Sequence, residues 1–134
     1  MRHSCIPLHT GARGVTRSAR RLRRRRFPLE KRSLKRGALR ECGRRCVYCA
    51  RTLSWFTLTL DHILPRAHGG QNDFGNVVAA CASCNSIKGD LLPHEFFFRC
   101  PWAGLNFLRY ARCAHRAHKR SARRAVSLAF AVAA

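Results

Sequence analysis

Two Cys-x-x-Cys pairs, Cys46/Cys49 and Cys81/Cys84, lie 31 residues apart and constrain the chain more than any other feature. A spacing of two lets a single tight turn aim both sulfurs at one ion, and four thiolates suit a closed tetrahedral Zn²⁺ site whose binding contributes folding free energy directly. A redox role for Cys46-Val-Tyr-Cys49 would call for a helix-opening pair in a thioredoxin-like βαβ setting, and the flanking sequence provides none. The other four cysteines, Cys5, Cys42, Cys100 and Cys113, lack paired spacing and read as buried or incidental thiols, with Cys42 close enough to Cys46 to be a substitute ligand.

Between the pairs, Phe56-Thr-Leu58-Thr-Leu60 alternates and predicts a half-buried strand with Phe56, Leu58 and Leu60 on one face. Pro65 and Gly69-Gly70 turn it into a loop, Asn76 to Ala80 resumes an extended apolar run, and Ala82 to Lys88 predicts a short helix stopped by a left-handed Gly89. Pro93 to Cys100 predicts a further helix, with Glu95 favouring its first turn and Leu92 offering no side-chain cap. Phe96, Phe97, Trp102, Leu105, Phe107 and Leu108 read as core.

Asp61 and His62 fall at the end of the strand, where neighbours point to opposite sides, so one can bind metal while the other works on water. Asn85 directly follows the fourth cysteine. Its amide oxygen and the Asp61 carboxylate are hard donors suited to Mg²⁺ or Mn²⁺, and two protein ligands leave room for phosphate and water.

Charge decides the class of partner. Lys and Arg number 27 against 6 Asp and Glu, a formal +21. Fourteen basic residues precede Glu41, and seven lie between Arg109 and Arg124, whereas the segment between those blocks is nearly neutral. The chain therefore divides into a basic arm, disordered on its own, over 1–40, a domain over 41–108, and a basic, Ala-rich tail over 109–134 that can be helical. Within the arm, Leu29 to Leu39 can form a short helix, with docking on nucleic acid as one use. Such blocks meet polyanions, and neutralising phosphates releases counterions, so DNA is the expected partner. No apolar stretch reaches the ~20 residues of a membrane span. Eight cysteines without an export signal fit a reducing cytoplasm, while the Arg-rich, acid-poor start also has the composition of an organellar transit peptide. Monomer and homodimer both remain open.

The run Cys46-x-x-Cys49, Leu60-Asp61-His62-Ile-Leu-Pro65-Arg66, Gly69-Gly70, Asn76-Val-Val, Cys81-x-x-Cys84-Asn85-x-x-Lys88-Gly89 closely resembles the HNH endonuclease family in its zinc-supported ββα-metal (His-Me finger) form. The resemblance implies an α+β fold, two strands and a helix gripping a divalent ion at a DNA phosphate. It implies Asp61 and Asn85 as ligands of that ion, His62 as the base that deprotonates water, and Asn76 as the residue that holds the His62 ring. Asparagine stands at position 85 where many members have histidine, which favours Mg²⁺ over transition ions. Arg66 and Lys88 beside the centre, and Arg23, Arg24, Arg25 and Arg26 in the arm, are the expected nucleic-acid contacts. A non-catalytic, zinc-stabilised nucleic-acid-binding module is the alternative.

Overall fold

A computed structural model describes residues 28–134. Arg23 to Arg26 and Cys5 lie outside the described residues. The elements run α1 (Pro28–Glu41), β1 (Leu58–His62), a 3₁₀ turn (Arg66–His68), β2 (Val77–Cys81), α2 (Ala82–Lys88), α3 (Pro93–Arg99), α4 (Pro101–Tyr110) and α5 (Arg116–Ala133). β1 and β2 form an antiparallel pair in which Leu58 faces Cys81 and His62 faces Val77. The fold is mixed: a two-stranded sheet with α1 and α2 against it and a helical layer of α3, α4 and α5 beside it.

β1 starts two residues later than the alternation suggests. Phe56 stands in a turn and is 92% exposed, because Ser54 and Thr57 close that turn through their side chains. The strand instead extends through Asp61 and His62, both inside the ladder. β2 is shifted by one residue, ending on Cys81, and α2 spans Ala82 to Lys88 as the pattern predicts. Gly89 ends it with φ +51° and ψ −131°, a positive-φ conformation outside the left-handed helical well that glycine alone adopts readily.

At α3, Leu92 offers no side-chain acceptor, but the Glu95 carboxylate accepts from the Leu92 N–H at 3.0 Å and meets half of the need. Tyr48, Phe96, Phe97 and Phe107 form the aromatic centre, with Phe97 and Phe107 4.8 Å apart and Tyr48 edge-on to Phe96 at 5.1 Å. Trp102 and Leu108 pack at its margin, whereas Leu105 is half exposed on the outer face of α4. Ala122, Ala125 and Val126 of α5 are buried in the same core, which therefore runs on past residue 108 without a break in packing. Cys42 is a buried free thiol and Cys113 an exposed one, while Cys100 is disulfide-bonded rather than an incidental thiol. No described helix is long and apolar enough to cross a membrane.

Candidate metal centre and hydrolytic site

The four paired cysteines converge. All four sulfurs lie within 4.8 Å of one another, and Cys49 Sγ is 3.8 Å from Cys81 Sγ. A tetrahedron with metal–sulfur bonds of about 2.3 Å has an edge of about 3.8 Å, so this arrangement fits a metal ion of that kind. The backbone builds the cradle: Ala50 takes φ +63° and its N–H bonds to the Cys46 carbonyl, which turns Cys46 and Cys49 toward one point. Val47 N–H bonds to Ala79 O at 3.0 Å, hooking this turn onto β2. Cys81 caps α2 through a 3.5 Å contact from the Cys84 N–H, placing the second pair on the strand–helix junction. Cys42 stays outside the cluster.

A hydrogen bond from Cys84 and several backbone N–H groups pull the Cys46 thiol down to about 5, while the Cys84 thiol is pushed up by the same bond and by burial.

Alternation along β1 sends Asp61 inward and His62 toward the loop. Asp61 is 4% exposed. Tyr48 donates its hydroxyl to Oδ2, and Lys88 Nζ lies 3.3 Å from Oδ1. Burial pushes the Asp61 carboxyl upward, against the opposing pull of Lys88 and Tyr48. Burial and the charge of Asp61 raise Tyr48 as well.

Lys88, expected as a nucleic-acid contact, is buried at 1% exposure. Its ammonium is committed to Asp61 and, at 2.7 Å, to the His62 carbonyl oxygen. The reason lies in the α2 geometry: one turn beyond Cys84, the fourth residue falls on the strand-facing side, so the long side chain runs under β1. Arg66, by contrast, is exposed at the start of the 3₁₀ turn.

Asn85 is brought to β1 rather than to solvent. Its Nδ2 donates to Thr59 Oγ1 at 3.0 Å and to Leu60 O at 3.3 Å, one residue before Asp61. Amide and carboxylate oxygens are the hard donors of a Mg²⁺ or Mn²⁺ site, although the charge beside Asp61 is here supplied by Lys88.

Asn72, and not Asn76, lies against the His62 ring. His62 Nε2 is 2.6 Å from Asn72 Oδ1, so the ring donates from Nε2 and leaves Nδ1 as the acceptor nitrogen. Asn76 instead accepts from Leu64 N–H and donates to Leu64 O and Gln71 O, at 2.8, 3.1 and 3.0 Å. It pins the β1–β2 loop that carries Asn72. Gly70 is required for that closure, since a Cβ there would lie 1.8 Å from Leu64 O. The sequence contains no spacing signal for Asn72, whose role follows from the loop fold.

Asn76→Ala is expected to destabilise the chain by about 1 to 3 kcal/mol, because three backbone groups lose a buried partner. Thermal melting checks this, and a change below about 0.5 kcal/mol would show that the loop holds itself.

A two-stranded sheet and short helix, with four cysteines at one end and an Asp-His pair at the strand terminus, define a ββα module. Residues 46–100 match the HNH endonuclease family, so this segment is related to those enzymes. A CRISPR-associated endonuclease Cas9 of Actinomyces naeslundii is 44% identical over 54 residues, 40% of this chain and 5% of that protein. A CRISPR-associated endonuclease Cas9 of Corynebacterium diphtheriae is 41% identical over 46 residues, 34% of this chain and 4% of that protein. The chain thus spans a small fraction of these relatives. Among solved structures, the Type II-C Cas9 enzyme of A. naeslundii aligns over 82% of this chain and 16% of its own, with 22% identity and a TM-score of 0.49.

Proposed function

We propose that this chain is a metal-dependent HNH endonuclease that hydrolyses DNA phosphodiester bonds, with His62 as general base. The observation that carries the reading is the His62–Asn72 pair at the end of β1, within a segment related to HNH endonucleases. Hydrolysis needs a positioned base near neutral pH, and an imidazole held by one nitrogen presents the other to water. Asn72 orients the ring, Asn76 holds the loop beneath it, and Lys88 ties the His62 backbone to α2.

The four-cysteine cluster holds one structural Zn²⁺ in this reading. Asp61 and Asn85 would hold the Mg²⁺ or Mn²⁺ ion. When bound, that ion would supply Lewis-acid stabilisation of charge at the scissile phosphate. The basic termini add affinity without sequence information.

One observation favours the second reading, a zinc-stabilised nucleic-acid-binding module that does not cut: Asp61 is fully engaged by Tyr48 and Lys88. Supercoiled plasmid incubated with Mg²⁺ or Mn²⁺ separates the two. Nicking that disappears in His62→Ala at an unchanged melting temperature supports the nuclease. Gel-shifted but uncut plasmid with either metal establishes the binding module.

A further inference from the structure

The nuclease reading leaves one charged surface unused. α1 carries Arg32, Arg36 and Arg40 at intervals of four, all exposed, opposite the buried Leu34 and Ala38. At a rise of 1.5 Å per residue these guanidiniums are about 6 Å apart along one face. They line a groove whose other wall is Phe74. Phe74 belongs to the β1–β2 loop, two residues beyond Asn72.

The ring of Phe74 is seated on the helix because residue 37 is glycine: a Cβ at Gly37 would lie 2.2 Å from Phe74 Cε1. Half of the side chain nevertheless remains exposed. An exposed aromatic between arginines is costly for a free surface and useful for a ligand that presents both anions and flat rings. Among the described residues Glu41 is the acid paired with the stripe, 3.2 Å from Arg40, and an exposed pair of that kind holds an arginine weakly. Lys35 points elsewhere, over the Trp55 ring at 4.7 Å.

We infer that the Arg32–Arg36–Arg40 stripe and Phe74 form a track for an unpaired nucleic-acid strand, its phosphates on the guanidiniums and a base on the Phe74 ring. Charge complementarity selects a polyanion, and the aromatic selects an unpaired strand over a duplex, whose bases are stacked on each other. This deepens the nuclease reading by placing the strand beside the loop that orients His62.

The test measures binding alone, in the full chain carrying His62→Ala so that the probe stays intact. Fluorescein-labelled oligothymidylate and a duplex of equal length are titrated by anisotropy across a range of salt. Replacing Arg32, Arg36 and Arg40 together by Ala is expected to lower the salt slope for the single strand by about 2, near 0.7 for each phosphate. Phe74→Ala is expected to weaken single-strand binding by roughly fivefold or more while leaving the duplex unchanged. A charge-matched control replaces Arg120, Arg123 and Arg124 of α5, with the melting temperature of each variant recorded. If the α5 control loses as much slope as the α1 variant, net charge alone binds the probe and the track is overturned. An unchanged ratio of single-strand to duplex affinity in Phe74→Ala overturns it equally. Absence of plasmid cleavage by the unaltered chain would remove the nuclease reading and leave these binding results standing.

Discussion

Stripping the metal from the four-cysteine cluster, or replacing Cys84 by Ser, is expected to unfold the domain. Cys46 and Cys49 sit on an irregular turn whose Ala50 occupies a left-handed conformation unfavourable to a residue with a Cβ. That turn is closed by the Arg45–Thr52 bridge and the Cys46–Arg51 hydrogen bond, and it is tied to the sheet by Val47 N–H on Ala79 O and to α4 by Asn106 on Tyr48 O. Structural zinc binds with an apparent free energy of about 10 to 16 kcal/mol at neutral pH, as much as the whole stability of a small domain. The effect has a sign with pH. Protons compete with the cation for the sulfurs, so the ion is lost as pH falls. Elemental analysis should give one zinc per chain, and far-ultraviolet circular dichroism should show loss of helix on chelation. Folded protein without zinc, or an unchanged melting temperature in Cys84→Ser, would remove this part of the account.

Lys88→Met is expected to cost about 3 to 5 kcal/mol, the range for removing one partner of a buried ion pair. The substitution preserves length but leaves Asp61 in the core with only the Tyr48 hydroxyl, and it releases the His62 carbonyl. Because the penalty comes from an unpaired charge, Asp61→Asn in the same chain should recover much of it. Denaturant unfolding of the two single variants and the double measures the coupling. A single variant within about 1 kcal/mol of the unaltered chain would mean that water reaches Asp61 and that Lys88 is dispensable to the fold.

Much of this architecture is legible in the residues. The two Cys-x-x-Cys pairs predict a convergent cluster, and cysteine spacing is reliable because it reflects the geometry of one turn. α2 is legible to the residue, since Cys81 and Gly89 mark both of its ends. β1 is less so. The alternation from Phe56 is a true pattern that begins two residues before the strand, because side-chain hydrogen bonds of Ser54 and Thr57 capture Phe56 and Thr57 as a turn.

That Asn72 rather than Asn76 lies against the His62 ring could not be read from spacing. Only the path of the loop shows that residue 76 faces the backbone of Leu64 while residue 72 reaches the ring. Lys88 illustrates the same limit in energetic terms. A lysine in a cationic chain reads as a surface contact, and its burial becomes intelligible only once Asp61 is found inside. α5 likewise looks like a solvated tail by charge, yet its Ala122, Ala125 and Val126 face complete the core.

The central claim is that His62 acts as the base of a DNA-cutting site. Its most direct test is the cleavage rate of supercoiled plasmid in Mg²⁺ or Mn²⁺ by the unaltered chain and by His62→Ala, with zinc content and melting temperature matched. A positioned general base contributes about 10² to 10⁴ in rate, so the variant is predicted to lose at least two orders of magnitude while remaining folded and bound to DNA. Cleavage at the same rate in His62→Ala would contradict the account.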